Sequence, residues 1–259
     1  MPIKDSLYFN YDGINSTEHK LINVNFNVGL FDEYFLPEQE LHIKQVPGRD
    51  DPYYMGNKKH PLQIDLEFAF EEGFGADNEH IQNVSRWLFQ EDYYKPLIFS
   101  NAQDKIYYCM YVGDPNLLHN CNKDGLIQIS MRNIDPYIRS PFYESDIYTS
   151  VENITFDNLG DVELLPIIQL EILQDTDFTL INNTNETEMK FTGLLNGDVL
   201  EIDLRYQMIN ATNGENKIYR YDNLVTDNLR IDVGENQLSV VEHANNWNMK
   251  LKYQYMFLK

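Results

Sequence analysis

Apolar and polar side chains alternate across residues 62–70, with Leu62, Ile64, Leu66, Phe68 and Phe70 on one side and Gln63, Asp65, Glu67 and Ala69 on the other. Period-two spacing of this length predicts a strand with one buried face and one face open to water or a partner. Across 77–90 the period lengthens. Ile81, Val84, Trp87 and Leu88 share one face at helical spacing and Asp77 stands where it can cap the first turn, so a helix is predicted near 77–90. Strand character returns at 105–112 and 125–131, the second preceded by the turn-forming run Asn122-Lys123-Asp124-Gly125.

Two prolines in Asp135-Pro136-Tyr137-Ile138-Arg139-Ser140-Pro141 disfavour helix before them and cannot donate to a central ladder, which places a domain boundary here. Beyond it Ile168, Leu170 and Ile172 alternate with Gln169 and Glu171, and Leu200, Ile202 and Leu204 with Glu201 and Asp203. Turn signals punctuate the second half at Asn182-Asn183, Leu195-Asn196-Gly197-Asp198, Asn213-Gly214-Glu215-Asn216 and Val233-Gly234-Glu235-Asn236. Short strands at such intervals each have one apolar face to bury, and two packed antiparallel sheets satisfy them together. The expected fold is mainly β, with an α+β first domain over residues 1–138 and an all-β sandwich over 139–259.

Composition narrows the function. The 259 residues are 42% hydrophobic and 13% aromatic, enough for a packed core. Forty-one Asp and Glu against 20 Lys and Arg leave a net charge of −21, which opposes any grip on nucleic-acid phosphates. The same charge suits simple solubility, or a wall that DNA passes without sticking. Neither an apolar signal core nor a run of about 20 apolar residues is present, so membrane insertion is not expected and the chain is expected to fold in a cytoplasm. Cys109 and Cys121 are too few for a disulfide framework and read as free thiols.

Catalytic and ligand-binding signals are sparse. The six histidines, at 19, 42, 60, 80, 119 and 243, lack metal-ligand spacing. Asp175-Thr176-Asp177 starts like a calcium loop, but the later ligands do not follow. Nucleophile-elbow, phosphate-loop and dinucleotide motifs are likewise missing. The expectation is therefore a protein without catalytic residues, cofactor or metal. Trp87 is explained as core by its helical spacing with Ile81 and Val84. Trp247, among Asn245, Asn246 and Asn248, is open to two readings, a turn or a sugar platform. Pro47-Gly48-Arg49-Asp50 is a turn that delivers the chain into the strand at Leu62. Within it Arg49 could bridge to a neighbouring subunit or pair with Asp50 and Asp51.

Taken in order, these segments resemble the distal tail proteins of long-tailed bacteriophages. Phe9-Asn10-Tyr11-Asp12-Gly13 is similar to the family's opening Phe-x-x-x-Gly, and Pro47-Gly48-Arg49-Asp50 to its Pro-Gly-Arg-Asp turn, although Asp51 stands where a glycine is often found. Arg86-Trp87-Leu88, Leu97-Ile98-Phe99-Ser100 and Asp104-Lys105-Ile106-Tyr107-Tyr108 resemble its helix and following strands. Gly125 to Pro136 resembles the strand closing the first domain. Asn158-Leu159-Gly160-Asp161 through Ile168 resembles the opening of its second domain, and Asn228 through Leu238 a late hairpin. The collinear matches span most of the chain, where single short motifs mislead.

The resemblance implies a first domain that closes into a ring, usually hexameric, carrying a galectin-like sandwich on its outside. It further implies a structural virion protein at the tail tip that joins the tube to the hub or fibre protein and supports the adsorption apparatus, receptor-binding protein included. DNA would pass through the ring without specific binding. Under this reading Pro47, Gly48, Arg49 and Asp50 form a candidate subunit-interface turn. The alternative is a module recognising cell-wall saccharide through the sandwich, with Trp247 as the contact. Against it, the His-x-Asn-Pro-Arg and Trp-x-x-Glu constellations of sugar-binding galectins are absent from this sequence.

Overall fold

Alternating strands and glycine-bearing turns account for most elements of the computed structural model, which describes residues 5–24, 36–71, 78–119, 125–149, 153–241 and 245–258. Two units emerge, Met1–Arg139 with Leu258–Lys259, and Ser140–Phe257.

The first unit opens with a tight hairpin of β1 (Phe9–Tyr11) and β2 (Ile14–Asn15). Asp12 and Gly13, at φ 55° and 80°, supply the two left-handed residues that such a loop requires. A 3-10 turn, Ser16–His19, capped reciprocally by Asn15 and Glu18, leads to β3 (Leu21–Asn23). A two-stranded ribbon of β4 (Gln39–Lys44) and β5 (Tyr53–Lys59) follows, then β6 (Gln63–Phe70). Helix α1 (Asn78–Phe89) precedes β7 (Lys95–Phe99), β8 (Ala102–His119), β9 (Gly125–Asn133) and the short β10 (Ile138–Arg139).

These strands form an antiparallel sheet in the order β2-β1-β7-β8-β9-β6-β3. The predicted strand at 62–70 is β6, and its apolar set from Ile64 to Phe70 is buried. The predicted helix is α1, burying Val84, Trp87 and Leu88 against the sheet. Trp87 is core, with its Nε1 donating to the Tyr11 carbonyl at 3.1 Å and its ring stacked 5.7 Å from Phe9. Strand β8 runs beyond the predicted end at Val112. A bulge between Val112 and Asn116 accommodates Pro115, which cannot donate to the ladder, and pairing with β9 resumes after it. The proposed cap Asp77, the turn residues Asn122 to Asp124 and Cys121 lie outside the described residues.

The second unit is a sandwich. One sheet runs β11 (Tyr143–Glu144), β21 (Trp247–Tyr253), β13 (Ile167–Ile172), β16 (Asp198–Asp203), β17 (Met208–Asn213), β18 (Asn216–Ile218). The other runs β12 (Ile154–Asn158), β20 (Gly234–Val240), β14 (Thr176–Asn182), β15 (Thr187–Leu194), β19 (Leu224–Asp227). Ile168, Leu170 and Ile172 of the first sheet face Phe178, Leu180 and Phe191 of the second across one continuous core. Every pairing in both sheets is antiparallel.

Candidate functional site

A Pro-Gly turn flanked by short alternating segments makes a hairpin, and here Pro47-Gly48-Arg49-Asp50 lies in the loop between β4 and β5. Gly48 adopts φ 84°, and the Arg49 amide donates to the Val46 carbonyl at 3.1 Å. The sequence-based expectation that this turn leads straight into the strand at Leu62 is corrected, because the chain first completes β5. The ribbon was missed for a physical reason: its apolar alternation covers only Leu41 and Ile43 on one strand, and a bulge breaks it on the other. Gly56 sits at that bulge with φ 125°, and Met55 is the extra residue.

Cross-strand pairs share a face, so Leu41 opposite Asn57 and Ile43 opposite Tyr54 line one side of the ribbon. Leu41, Ile43 and Tyr54 are 62%, 57% and 64% exposed, and Met55 is 67% exposed. Folding within this unit therefore leaves a contiguous apolar face in water, the kind of surface that marks an interaction site. Among the described residues, β4 and β5 pair only with each other, so their outer edges add unspent backbone donors and acceptors. At the loop, the Arg49 guanidinium lies 4.8 Å from the centroid of the Tyr53 ring and donates to the Tyr53 hydroxyl. His60 against Glu40, 3.3 Å apart, and Lys59 over the Tyr137 ring tie down the base.

Asn158-Leu159-Gly160-Asp161 is organised differently. Asn158 is buried, its amide donates to the Val162 carbonyl at 2.9 Å, and its Oδ1 accepts from the Gly160 amide at 3.0 Å. A Cβ on Gly160 would lie 2.8 Å from the Met256 carbonyl oxygen. Glycine is needed here for close approach, and the Asp161 amide completes the junction by donating to that carbonyl at 2.8 Å.

Trp247 is fully buried in the sandwich core, its ring 5.5 Å from Phe178. A sugar platform needs an exposed aromatic face, so the saccharide assignment to Trp247 is corrected to core packing. Its apolar register with Met249 and Leu251 on β21, three alternating buried positions, was the signal for this. Asp175 and Asp177, which resembled the start of a calcium loop, accept hydrogen bonds from the Asn196 and Gly193 amides at 2.7 and 2.8 Å and so brace a turn. No group of three potential metal ligands occurs among the described residues. Burial pushes the Cys109 thiol well above its usual pKa, so it remains protonated, as suits a core side chain.

The family described as phage tail protein N-terminal domain matches residues 4–135, and that described as siphovirus-type tail component, C-terminal domain, matches residues 159–257. The chain is 30% identical over 260 residues to the SPbeta prophage-derived protein YomH of Bacillus subtilis strain 168, covering 99% of this chain and 100% of YomH. Its fold is similar to the crystal structure of phage SPP1 Dit, described as a paradigm of the hub adsorption apparatus in phages infecting Gram-positive bacteria. That match has a TM-score of 0.74 and 12% identity over 97% of this chain and 99% of Dit. A chain of the phage P2 baseplate in its activated conformation matches with a TM-score of 0.53 and 10% identity over 95% and 97% of the two chains. The matched segments together take in both units, and the chain belongs to the siphovirus-type phage tail proteins, in the distal tail family.

Proposed function

We propose that this tail protein closes into a ring, hexameric as its family resemblance implies, at the distal end of the phage tail. The ring joins the tail tube to the hub or fibre protein, carries the sandwich outward as a platform for host-adsorption proteins, and leaves an opening for DNA. The role is structural and asks for no turnover. Assembly takes place in the host cytoplasm, and the finished protein is a virion component.

The observation that carries this reading is the apolar face of the β4–β5 ribbon. A ring needs a head-to-tail contact whose rotation closes, and a ribbon bearing Leu41, Ile43 and Tyr54 with two open edges offers one half of it. The loop from Pro47 to Asp50 caps that surface and would reach the neighbouring copy. The net charge of −21 supports passage of DNA past the protein without phosphate adsorption.

Light scattering coupled to size exclusion, across a concentration series, tests the reading. Wild type is expected to form a closed oligomer, and a Leu41→Glu/Ile43→Glu variant to remain monomeric with an unchanged unfolding midpoint. A wild-type chain that stays monomeric both alone and mixed with the tail tube protein would overturn it.

A further inference from the structure

At one edge of the sandwich, between β16–β17 of one sheet and β15–β19 of the other, a cleft of about 250 Å³ opens into the core. Met189, Ile202, Leu204 and Leu224 form its walls. Met189, Ile202 and Leu204 are buried core side chains at its floor, while Leu224 and Tyr221 stand at its more exposed mouth.

Its polar side chains are Asp203, Asp227, Tyr221 and Gln207, so its only charged groups are two carboxylates. The Asp203 carboxylate is held in place because Oδ1 accepts from the Arg205 and Tyr206 amides at 3.0 and 3.1 Å, which leaves the second oxygen uncommitted to that turn. Asp227 is exposed on β19. Tyr221 is fixed by accepting from the Ile209 amide at 2.8 Å, so its ring is a preset wall as well as a polar contact. None of the residues lining the cleft is basic. Around it, Ser140–Phe257 holds 20 Asp and Glu against 7 Lys and Arg, a net −13 of the chain's −21.

We propose that this cleft is a socket for an alkyl cation, the side chain of a lysine or arginine presented by a partner tail protein. An apolar stem fits the aliphatic walls while the charged head reaches the two carboxylates and the Tyr221 face. The volume lies below the roughly 300–1,000 Å³ typical of small-molecule pockets, which suits a single side chain. A neutral saccharide has no charge to answer the carboxylates of Asp203 and Asp227, whereas a cation does. The acidic field of the whole unit steers a basic segment towards the site. The inference deepens the platform reading by giving the outward sandwich a partner chemistry, and it is independent of ring closure.

The test uses the full-length chain with isotope-labelled Met, Ile and Leu methyl groups, followed by NMR. It is titrated separately with n-butylguanidinium, n-butylammonium, n-pentanol, hexanoate and N-acetylglucosamine. The two cations are expected to shift the methyls of Met189, Ile202, Leu204, Ile209 and Leu224 saturably, with hexanoate inert and pentanol weaker. Asp203→Asn/Asp227→Asn should weaken cation binding by about tenfold or more while methyls elsewhere in the core keep their positions. Pentanol binding as well as the cations, N-acetylglucosamine displacing them, or no saturable shift with either cation would each overturn the proposal. Because the methyls report on the cleft in monomer or ring alike, failure here is distinguishable from failure of the ring.

Discussion

Pro47-Gly48-Arg49-Asp50 and Asn158-Leu159-Gly160-Asp161 are equally short and rich in turn residues, yet the fold uses them in opposite ways. The first sits in the loop of an exposed ribbon, where nothing lies within 4 Å of a Cβ built on Gly48. The second is locked, with the Asn158 side chain consumed by backbone partners and Gly160 pressed against Met256. The difference separates two causes of a recognisable motif. A motif whose polar atoms are spent on packed backbone is held by the core, whereas one whose contacts stay within an exposed loop, as Arg49 on Tyr53, leaves its surface open.

The sharpest way to break this comparison is to put the same kind of side chain on both glycines. Gly160→Ala would bring its Cβ to 2.8 Å from the Met256 carbonyl oxygen and 3.0 Å from its nitrogen, and a loss of about 3 kcal/mol is expected in urea unfolding. Gly48→Ala meets no atoms and suffers only from its positive φ, a cost of about 1–2 kcal/mol confined to the hairpin. Equal losses at the two sites would show that the second motif is not a packing junction.

The sequence made the two halves legible to different depths. Strand β6, helix α1 and the sandwich were readable because their apolar positions repeat at one period over several turns or pleats, as from Ile64 to Phe70 and from Ile168 to Ile172. The β4–β5 ribbon was not readable, because strands exposed on both sides have no buried face to enforce alternation, and Met55 slips the register. Trp247 misled for the converse reason. Its asparagine neighbours suggested a surface, while the alternation that buries it begins at that residue and runs onward through Met249 and Leu251. The cleft beside Asp203 and Asp227 is assembled from four strands and two turns, and no local pattern encodes that convergence.

His19 is half-buried and stacked on Trp87 with ring centroids 4.5 Å apart. Burial, aided by the charge of His80 and opposed by Glu18, holds its pKa below the ordinary 6.5. The folded state therefore favours the neutral ring. Its contribution to stability is full above the ordinary value and declines as pH falls through the folded one. Melting curves from about pH 7.5 to about pH 5 should show wild type losing more stability than His19→Gln. Parallel curves would mean that this stack adds nothing that protonation can remove.

The smallest effect on folding, and the most discriminating for assembly, is expected at Arg49. The guanidinium spends itself on Tyr53 at an exposed loop, in place of the Asp50 and Asp51 neighbours that the sequence offered. Arg49→Ala should leave the unfolding midpoint within about 0.5 kcal/mol of wild type. If the ribbon meets a second copy, desolvation at that contact strengthens whatever the cation touches, and the concentration at which the oligomer forms should rise. Arg49→Lys keeps the charge and loses the planar stack, so it separates the two contributions. Assembly restored by lysine assigns the loop a charge contact with its neighbour. Assembly lost in both variants assigns Arg49 the task of holding Tyr53 in the ribbon. Assembly intact in both places the contact on Leu41, Ile43 and Tyr54 alone, which would make the first motif a turn in the service of the apolar face beside it.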